Sequence, residues 1–321
     1  MNSRITGRLA MQKQLSQYSI EIGSGQRLAG LISVAVSGIQ ASLVSAGQPA
    51  DRRAQRLPAL DELESIMRGL RSVLMPELSG SDGSRHSLQG QLRLSLSQLG
   101  LELRHAYVAD DREREQDEVE TEITSQLERF CESLPELRRL LQTDARAIHD
   151  GDPSSRSLLE VQLASPGLEA LLHHRVAHQL ESQGVPLLPR MLAWLAQRAT
   201  GIDIHPAASI AEACCIDHGT GLVIGETAVI GRNARIYQGV TLGARSIPLD
   251  ERGRAVRGLR RHPQLGDDVT VYSGATILGP VEIGSGSVIG GNVWLTHSVP
   301  AGSRVLQHDP RTSRFSAGAG I

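Results

Sequence analysis

The sequence predicts an α+β protein in which an N-terminal α-helical domain precedes a left-handed parallel β-helix that carries an extended loop. Three observations predict this fold. Apolar residues follow a helical spacing before residue 201, an aliphatic residue recurs every six positions after it, and only 2% of the 321 residues are aromatic. A core with so little aromatic volume must be aliphatic and narrow.

The helical domain is predicted at residues 56–200. Apolar residues at three- and four-residue steps form one face along 60–74, 119–141, 168–180 and 188–195, which predicts a helix in each stretch. The acidic run 110–122 precedes or opens the second of these helices, where negative charge favours a helix N-terminus. Asp152-Pro153 interrupts the helical pattern. Residues 1–55, which are rich in Ser, Gln and Gly, are predicted to form a partly disordered arm.

The β-helix is predicted at residues 201–306 from a six-residue repeat, in which three units make one triangular coil. Its aliphatic residues point inward and stack on the coil below, and glycines fit the corners. Between Leu242 and Leu265 the repeat is interrupted by 17 additional residues, which places an inserted, arginine-rich loop at 244–264. A flexible tail is expected at 307–321. The repeating aliphatic residues are Ile204, Ile210, Ile216, Leu222, Ile224, Ile230, Ile236, Leu242, Leu265, Val271, Ile277, Ile283, Ile289 and Leu295.

Composition excludes several classes of partner. The formal net charge is −2, so no general attraction to nucleic acid or to an anionic membrane is expected. The most apolar stretch, residues 28–44, is diluted by Ser and Gln and predicts a small helix or amphipathic arm rather than a membrane span. Cys131, Cys214 and Cys215 form no disulfide framework, and reduced thiols favour a cytoplasmic protein.

His218 is the best candidate for a general base, because imidazole titrates near neutral pH. Asp203 precedes it by 15 residues, close to one coil, so the two side chains could meet across a coil edge. Two structural alternatives stay open. Asp and His at such corners often bond only to backbone, and a zinc site could use His205, His218 and His262, although no ligand spacing supports one.

Six motifs in residues 140–306 resemble serine O-acetyltransferases, which make O-acetylserine for cysteine synthesis. They are GDPSS at 151–155, GIDIHPAASI at 201–210, IDHGTGLVIGETAVIG at 216–231, IYQGVTLGA at 236–244, RRHPQLGD at 260–267 and IGGNVWLT at 289–296. The combination of DIHP, DHGTG and RHP is specific, whereas a hexapeptide repeat alone indicates only an acyltransferase. The N-terminal hundred residues match loosely, as a helical domain.

The resemblance implies a role for each matching residue. His218 matches the catalytic base and Asp203 the carboxylate that orients it. Serine's hydroxyl would attack the thioester of acetyl-CoA directly, with no enzyme nucleophile and no metal. The remaining matches bind serine or coenzyme A: Asp152 and Asp217 at the ammonium, Arg261 and His262 at the carboxylate, and Ala244 (commonly glycine in the family), Ser273 and Gly291 at coenzyme A.

The resemblance also implies an assembly and a partner. We expect a homotrimer or a dimer of trimers, with acyl-CoA between neighbouring prisms. The tail ends in Ile321, and in this family such a tail can insert into the active site of O-acetylserine sulfhydrylase. The opposing interpretation is a frayed end that happens to finish in isoleucine. Inhibition by cysteine is a further expectation.

Three other functions stay open at this level. The chain could be another hexapeptide-repeat acetyltransferase that acts on homoserine, a sugar or an antibiotic. It could be a regulator without catalytic activity that binds the sulfhydrylase through its tail. It could also be a β-helix resembling zinc carbonic anhydrases. If the chain were an acetyltransferase for one of those other acceptors, Asp152, Asp217 and the Arg261-His262 pair would have less reason to be present.

Overall fold

The computed structural model describes residues 57–78, 85–111 and 114–307. The predicted arm at 1–55, including the apolar stretch 28–44, lies outside these residues, as does the predicted tail apart from Gln307. In the described ranges, six α-helices precede a parallel β-solenoid of about five turns, so the predicted fold class is confirmed. No helix in these ranges combines the length and apolar character of a membrane span.

The helical part begins at Leu60 and ends at Thr200. Four of its helices confirm the predicted apolar faces, and α3 ends at Gly151, directly before Asp152-Pro153. Two helices, α2 and α4, were not predicted individually. A short 3-10 helix, Pro76–Leu78, follows α1. The helices are α1 (Leu60–Leu74), α2 (Arg85–Asp110), α3 (Gln116–Gly151), α4 (Leu158–Ala164), α5 (Pro166–Ser182) and α6 (Leu188–Thr200).

The solenoid has three faces of parallel strands. Face A contains β1 (Asp203–Ile204), β4 (Val223–Ile224), β7 (Thr241–Gly243), β10 (Thr276–Leu278) and β13 (Trp294–Leu295). Face B contains β2 (Ser209–Ile210), β5 (Val229–Ile230), β8 (Gln264–Leu265) and β11 (Glu282–Ile283). Face C contains β3 (Cys215–Asp217), β6 (Arg235–Tyr237), β9 (Thr270–Val271), β12 (Val288–Ile289) and β14 (Arg304–Val305).

Two stacked rows fill the prism. The predicted aliphatic residues form one row, with Ile236, Leu242, Val271 and Ile277 fully buried. A second row lies two positions earlier and is mostly small, as at Ala208, Ala234 and Ala275. Leu222 belongs to this second row, because the corner between Ile216 and Ile224 holds two more residues than the matching corners of later coils. The lengthened corner carries His218.

A buried ion pair joins the helices to the first coil. Asp144 on α3 and Arg175 on α5 are at most 4% exposed, and their side chains make two hydrogen bonds of 2.6 and 2.7 Å. Asp144 also accepts the backbone N–H of Cys214 at 3.0 Å, and Arg175 donates to the carbonyls of Ile210 and Ala211. This network places the end of α3 beside β3.

Candidate active site

His218 stands on the lengthened corner between faces C and A. Its backbone is left-handed, with φ of 56°, a conformation that costs most residues energy and that His adopts more readily than most. Gly219 and Gly221 on the same corner also have positive φ. The turn projects the imidazole outward, leaving the side chain 75% exposed in one chain. The His218 ring can therefore reach a substrate outside the prism.

A cavity of about 180 Å³ opens beside this corner. Ile216, Asp217 and His218 line it from the solenoid, and Asp152 lines it from the turn after α3, with further residues from α4 and the first turn of α5. The Asp217 carboxylate lies 3.8 Å from Nε2 of His218. Three of the predicted site residues, Asp152, Asp217 and His218, thus share one cavity.

The turn after α3 fixes the carboxylate of Asp152. Its Oδ1 accepts the backbone N–H of Ser154 at 2.8 Å and the Ser154 hydroxyl at 2.7 Å. These hydrogen bonds, with a smaller contribution from the charge of His218, hold the pKa of Asp152 below its usual value. The carboxylate is therefore ionised at neutral pH, and Oδ2 makes no hydrogen bond within the described ranges.

Asp203 flanks the same corner but makes no hydrogen bond or ion pair with His218 within the described ranges. It lies on β1, two residues after Gly201, whose carbonyl accepts the N–H of Gly221 at 2.8 Å across the coil edge. Among the described residues, the carboxylate within 4.0 Å of the His218 ring belongs to Asp217, and no hydrogen bond joins Asp203 to the imidazole. That Asp203 orients His218 stays a prediction.

Arg261 and His262 lie at a different corner, between faces A and B, where the inserted loop returns to β8. Arg261 forms an ion pair with Glu226, and His262 is 7% exposed. Burial, assisted by the charge of Arg261, lowers the pKa of His262. Burial likewise lowers the pKa of His205 to about 4. Both histidines are therefore neutral at pH 7.

Face A separates these two corners within one chain. The chain passes from His218 through β4 before it reaches Gly225, over which the imidazole of His262 lies. The structure thus brings together the residues predicted to hold an ammonium and to act as base, and it places the residues predicted to hold a carboxylate elsewhere on the prism.

The residues predicted at coenzyme A are divided in the same way. The strand register stacks Ser273 and Gly291 above His218 and Gln238 on the C–A corner. The backbone N–H of Asn292 donates to the carbonyl of Ser273 at 2.9 Å, which fixes this stack. Ala244 follows β7 at the start of the insert, on the A–B corner.

Neither a thiol nor a metal cluster competes with this site in the described ranges. Cys214 and Cys215 are free and buried, and burial raises the pKa of Cys215 to about 11, so it is a protonated thiol at neutral pH. The three histidines of the zinc alternative occupy two corners. No three His, Cys, Asp or Glu side chains between residues 57 and 307, as far as they are described, are arranged to hold a metal ion.

Sequence reasoning missed several residues at these corners. Gln238 lies one coil above His218, and its buried Oε1 has no hydrogen-bond partner in the described ranges. Tyr237 and Tyr272 stack beside it, with ring centroids 5.1 Å apart. Thr227 contacts His262 across 35 positions, which is one 18-residue coil plus the 17 inserted residues. Subtracting the insert from the repeat would have revealed that contact.

Comparison with known proteins gives one consistent result. Residues 262–297 match the family model described as bacterial transferase hexapeptide (six repeats). A protein named "Serine acetyltransferase, plasmid" from Synechococcus elongatus is 46% identical over 275 residues, which is 83% of this chain and 86% of that relative.

Two solved structures are similar over most of the chain. One is serine acetyltransferase 1 of Entamoeba histolytica in complex with L-cysteine, with a TM-score of 0.67 and 34% identity, over 75% of this chain and 86% of that one. The other is the serine acetyltransferase of Brucella abortus in complex with coenzyme A, with a TM-score of 0.51 and 28% identity, over 79% and 96% of the two chains.

Proposed function

The chain belongs to the serine acetyltransferase family and is an acyltransferase, and we propose that it transfers acetyl from acetyl-CoA to the hydroxyl of L-serine by direct attack, with His218 as the general base. The observation that carries this mechanism is the outward-facing imidazole of His218 in one cavity with Asp152 and Asp217. Acetyl-CoA as co-substrate is supported by the coenzyme A complex of the Brucella abortus relative.

In this reaction the imidazole of His218 accepts one proton and later returns it. As the serine oxygen bonds to the thioester carbonyl carbon, His218 accepts the hydroxyl proton. The tetrahedral intermediate then collapses, the carbon–sulfur bond breaks, and the imidazolium returns its proton to the departing sulfur. O-acetylserine and coenzyme A leave, and His218 is neutral again. We assign Asp203 to the orientation of the ring in the substrate-bound enzyme.

Charge decides how serine is oriented. Asp152 and Asp217 present carboxylates beside His218, which suits the ammonium of a small amino acid. Arg261 and His262 offer a guanidinium and an N–H donor, which suit its carboxylate. A ligand held at both ends cannot reverse, because each charged end would then meet groups of its own charge, and its hydroxyl is directed at the base.

We propose that a neighbouring copy completes the site, in a homotrimer or a dimer of trimers. One chain keeps its two clamps on different corners, so the A–B corner of a neighbour must approach the C–A corner that carries His218. Face A between them exposes apolar side chains, Val223 at 37% and Trp294 at 70%, which such packing would cover. Coenzyme A would lie in the same cleft, against Ser273 and Gly291 of one copy and Ala244 of the next. Light scattering that gave a monomer mass at micromolar concentration would contradict this assembly.

The test of the mechanism is thiol release from acetyl-CoA in the presence of L-serine, for wild type and His218→Ala. The variant is expected to lose at least a hundredfold in kcat with its circular dichroism unchanged. His297→Ala replaces an exposed histidine on the last coil and serves as the matched control, with activity expected to equal wild type. Unchanged activity in His218→Ala would refute the base assignment, whereas a wild type that releases no thiol with serine would favour a regulator. Homoserine and sugars tested at saturating acetyl-CoA distinguish the other acceptors.

Two predictions concern regulation. The Entamoeba histolytica relative was solved with L-cysteine, which shares the ammonium and carboxylate of serine, so we propose that cysteine competes with serine here. Noncompetitive inhibition, or none, would contradict a shared site. Binding of O-acetylserine sulfhydrylase through Ile321 also stays a prediction, and unchanged affinity after deletion of Ile321 would dispose of it.

A further inference from the structure

Three consecutive residues of the preceding coil hold the Arg261-His262 pair. The carboxylate of Glu226 accepts the Arg261 guanidinium. Gly225 lies under the imidazole of His262, where an added Cβ would be 2.1 Å from Cδ2 and 2.2 Å from Nε2. Thr227 contacts both backbone and ring of the pair. Each residue of 225–227 therefore constrains a different part of the Arg261-His262 pair, which we propose to bind the carboxylate of serine.

Thr227 makes four hydrogen bonds to this pair. Its Oγ1 accepts the backbone N–H of Arg261 at 3.0 Å and that of His262 at 3.1 Å. Its backbone N–H donates to Nδ1 of His262 at 3.0 Å, and its Oγ1 lies 2.9 Å from the same nitrogen. Because Nδ1 accepts an amide proton, it carries none itself, so the Thr227 hydroxyl must also donate to it.

A neutral imidazole carries its one proton on Nδ1 or on Nε2. Two donors at Nδ1 leave Nε2 as the protonated nitrogen of His262. Within the described ranges, Nε2 has no hydrogen-bond partner. Protonated, it can donate to a carboxylate, whereas the opposite tautomer would present a lone pair and repel one.

We infer that Thr227 is a positioning residue for serine, because its N–H and O–H fix His262 as the Nε2–H tautomer that donates to the serine carboxylate. The inference rests on the proposed function, in which His262 binds that carboxylate. Thr227 acts through His262 and touches no substrate. Its effect therefore falls on the affinity for serine and not on acetyl-CoA.

The test compares Thr227→Val, which removes the hydroxyl, with Thr227→Ser, which keeps it. The valine variant keeps the backbone N–H donor to Nδ1 but removes the hydroxyl that donates to the ring and accepts the backbone N–H groups of Arg261 and His262. It is therefore expected to lower kcat/KM for serine about tenfold, mainly through KM, with KM for acetyl-CoA unchanged. The serine variant is expected to stay within twofold of wild type. Thr270→Val makes the same change on β9, where the hydroxyl has no hydrogen bond in the described ranges, and should have no effect.

A double-mutant cycle with His262→Ala tests whether Thr227 acts through the ring. In that background, Thr227→Val should cost clearly less in kcat/KM for serine than it does in the wild type, because only its contacts to the backbone of the pair remain to be lost. If the valine variant does not fold, as judged by circular dichroism, Thr227→Ala takes its place in the same cycle. Equal losses in both backgrounds, or full activity of the valine variant, would overturn the inference while leaving the proposed function intact. A wild-type chain that does not acetylate serine would overturn both.

Discussion

Removing the charge of Asp144 tests how the helical domain is anchored to the solenoid. In Asp144→Asn, the Arg175 guanidinium stays buried but loses its charge partner, and the carbonyls of Ile210 and Ala211 are its remaining acceptors. The amide group that replaces one carboxylate oxygen also brings N–H donors toward N–H donors of Arg175 or Cys214. Both effects destabilise the folded state.

The expected cost follows from the burial of the pair. Breaking one partner of a buried ion pair costs about 3–5 kcal/mol in the free energy of unfolding, because a charge is left desolvated. Glu120→Gln on the same helix is the matched control. The hydrogen bonds between Glu120 and Arg104 are as short as those between Asp144 and Arg175, but the side chains of Glu120 and Arg104 are 39% and 43% exposed. The free energy of unfolding should therefore fall by at most about 1 kcal/mol.

Urea unfolding followed by far-UV circular dichroism measures the difference, at one fixed chain concentration for all variants. The double variant Asp144→Leu with Arg175→Met replaces both charges by apolar groups. It also removes the hydrogen bonds to the N–H of Cys214 and to the carbonyls of Ile210 and Ala211, so it should recover only part of the lost free energy. If Asp144→Asn costs no more than Glu120→Gln, the ion pair is not the anchor.

The contacts of the two corners lead to three further expectations. Ser154→Ala removes one hydrogen bond from Asp152, so KM for serine should rise about threefold with kcat nearly constant, and an unchanged KM would contradict this role. Gly225→Ala places a methyl group against the imidazole of His262, so kcat/KM for serine should fall at least tenfold while circular dichroism is retained. Burial lowers the pKa of His205 from 6.5 to about 4, so the unfolded chain binds a proton at His205 more tightly than the folded chain does. The free energy of unfolding should therefore fall between pH 6.5 and pH 4, by roughly 1–3 kcal/mol after allowance for solvent screening, and His205→Gln should remove that part of the urea-unfolding pH dependence.

The solenoid could be predicted from the sequence because one physical rule repeats along it. Each coil needs an aliphatic residue at the same place on every face, so the six-residue spacing marks the inward positions directly. The rule fails where a corner changes length. Leu222 keeps the six-residue spacing and is buried, but it belongs to the second inward row, whereas Ile224 belongs to the first, and the backbone path through Gly219 and Gly221 separates the two rows.

Sequence patterns predicted only part of the helical domain. Apolar faces predict α1, α3, α5 and α6, but α2 carries the buried polar residues Ser95 and Glu102 among its apolar ones, which dilutes its periodicity. Asp144 and Arg175 lie 31 positions apart on two different helices, so no local sequence pattern indicates that they pair. Contacts of this kind depend on tertiary packing, so the anchor of the domain could not be predicted.

The two halves of the site differ in their exposure, and this bears on how catalysis is controlled. The proposed carboxylate site at the A–B corner lies within one chain, with His262 buried over Gly225. The proposed base at the C–A corner is open to water, since the His218 side chain is 75% exposed. A general base and an oxyanion work best where water is excluded, because electrostatic interactions are then stronger. In the proposed assembly, a neighbouring copy would supply both the missing carboxylate site and that exclusion, so the folding of one chain and the completion of its active site would be separable steps.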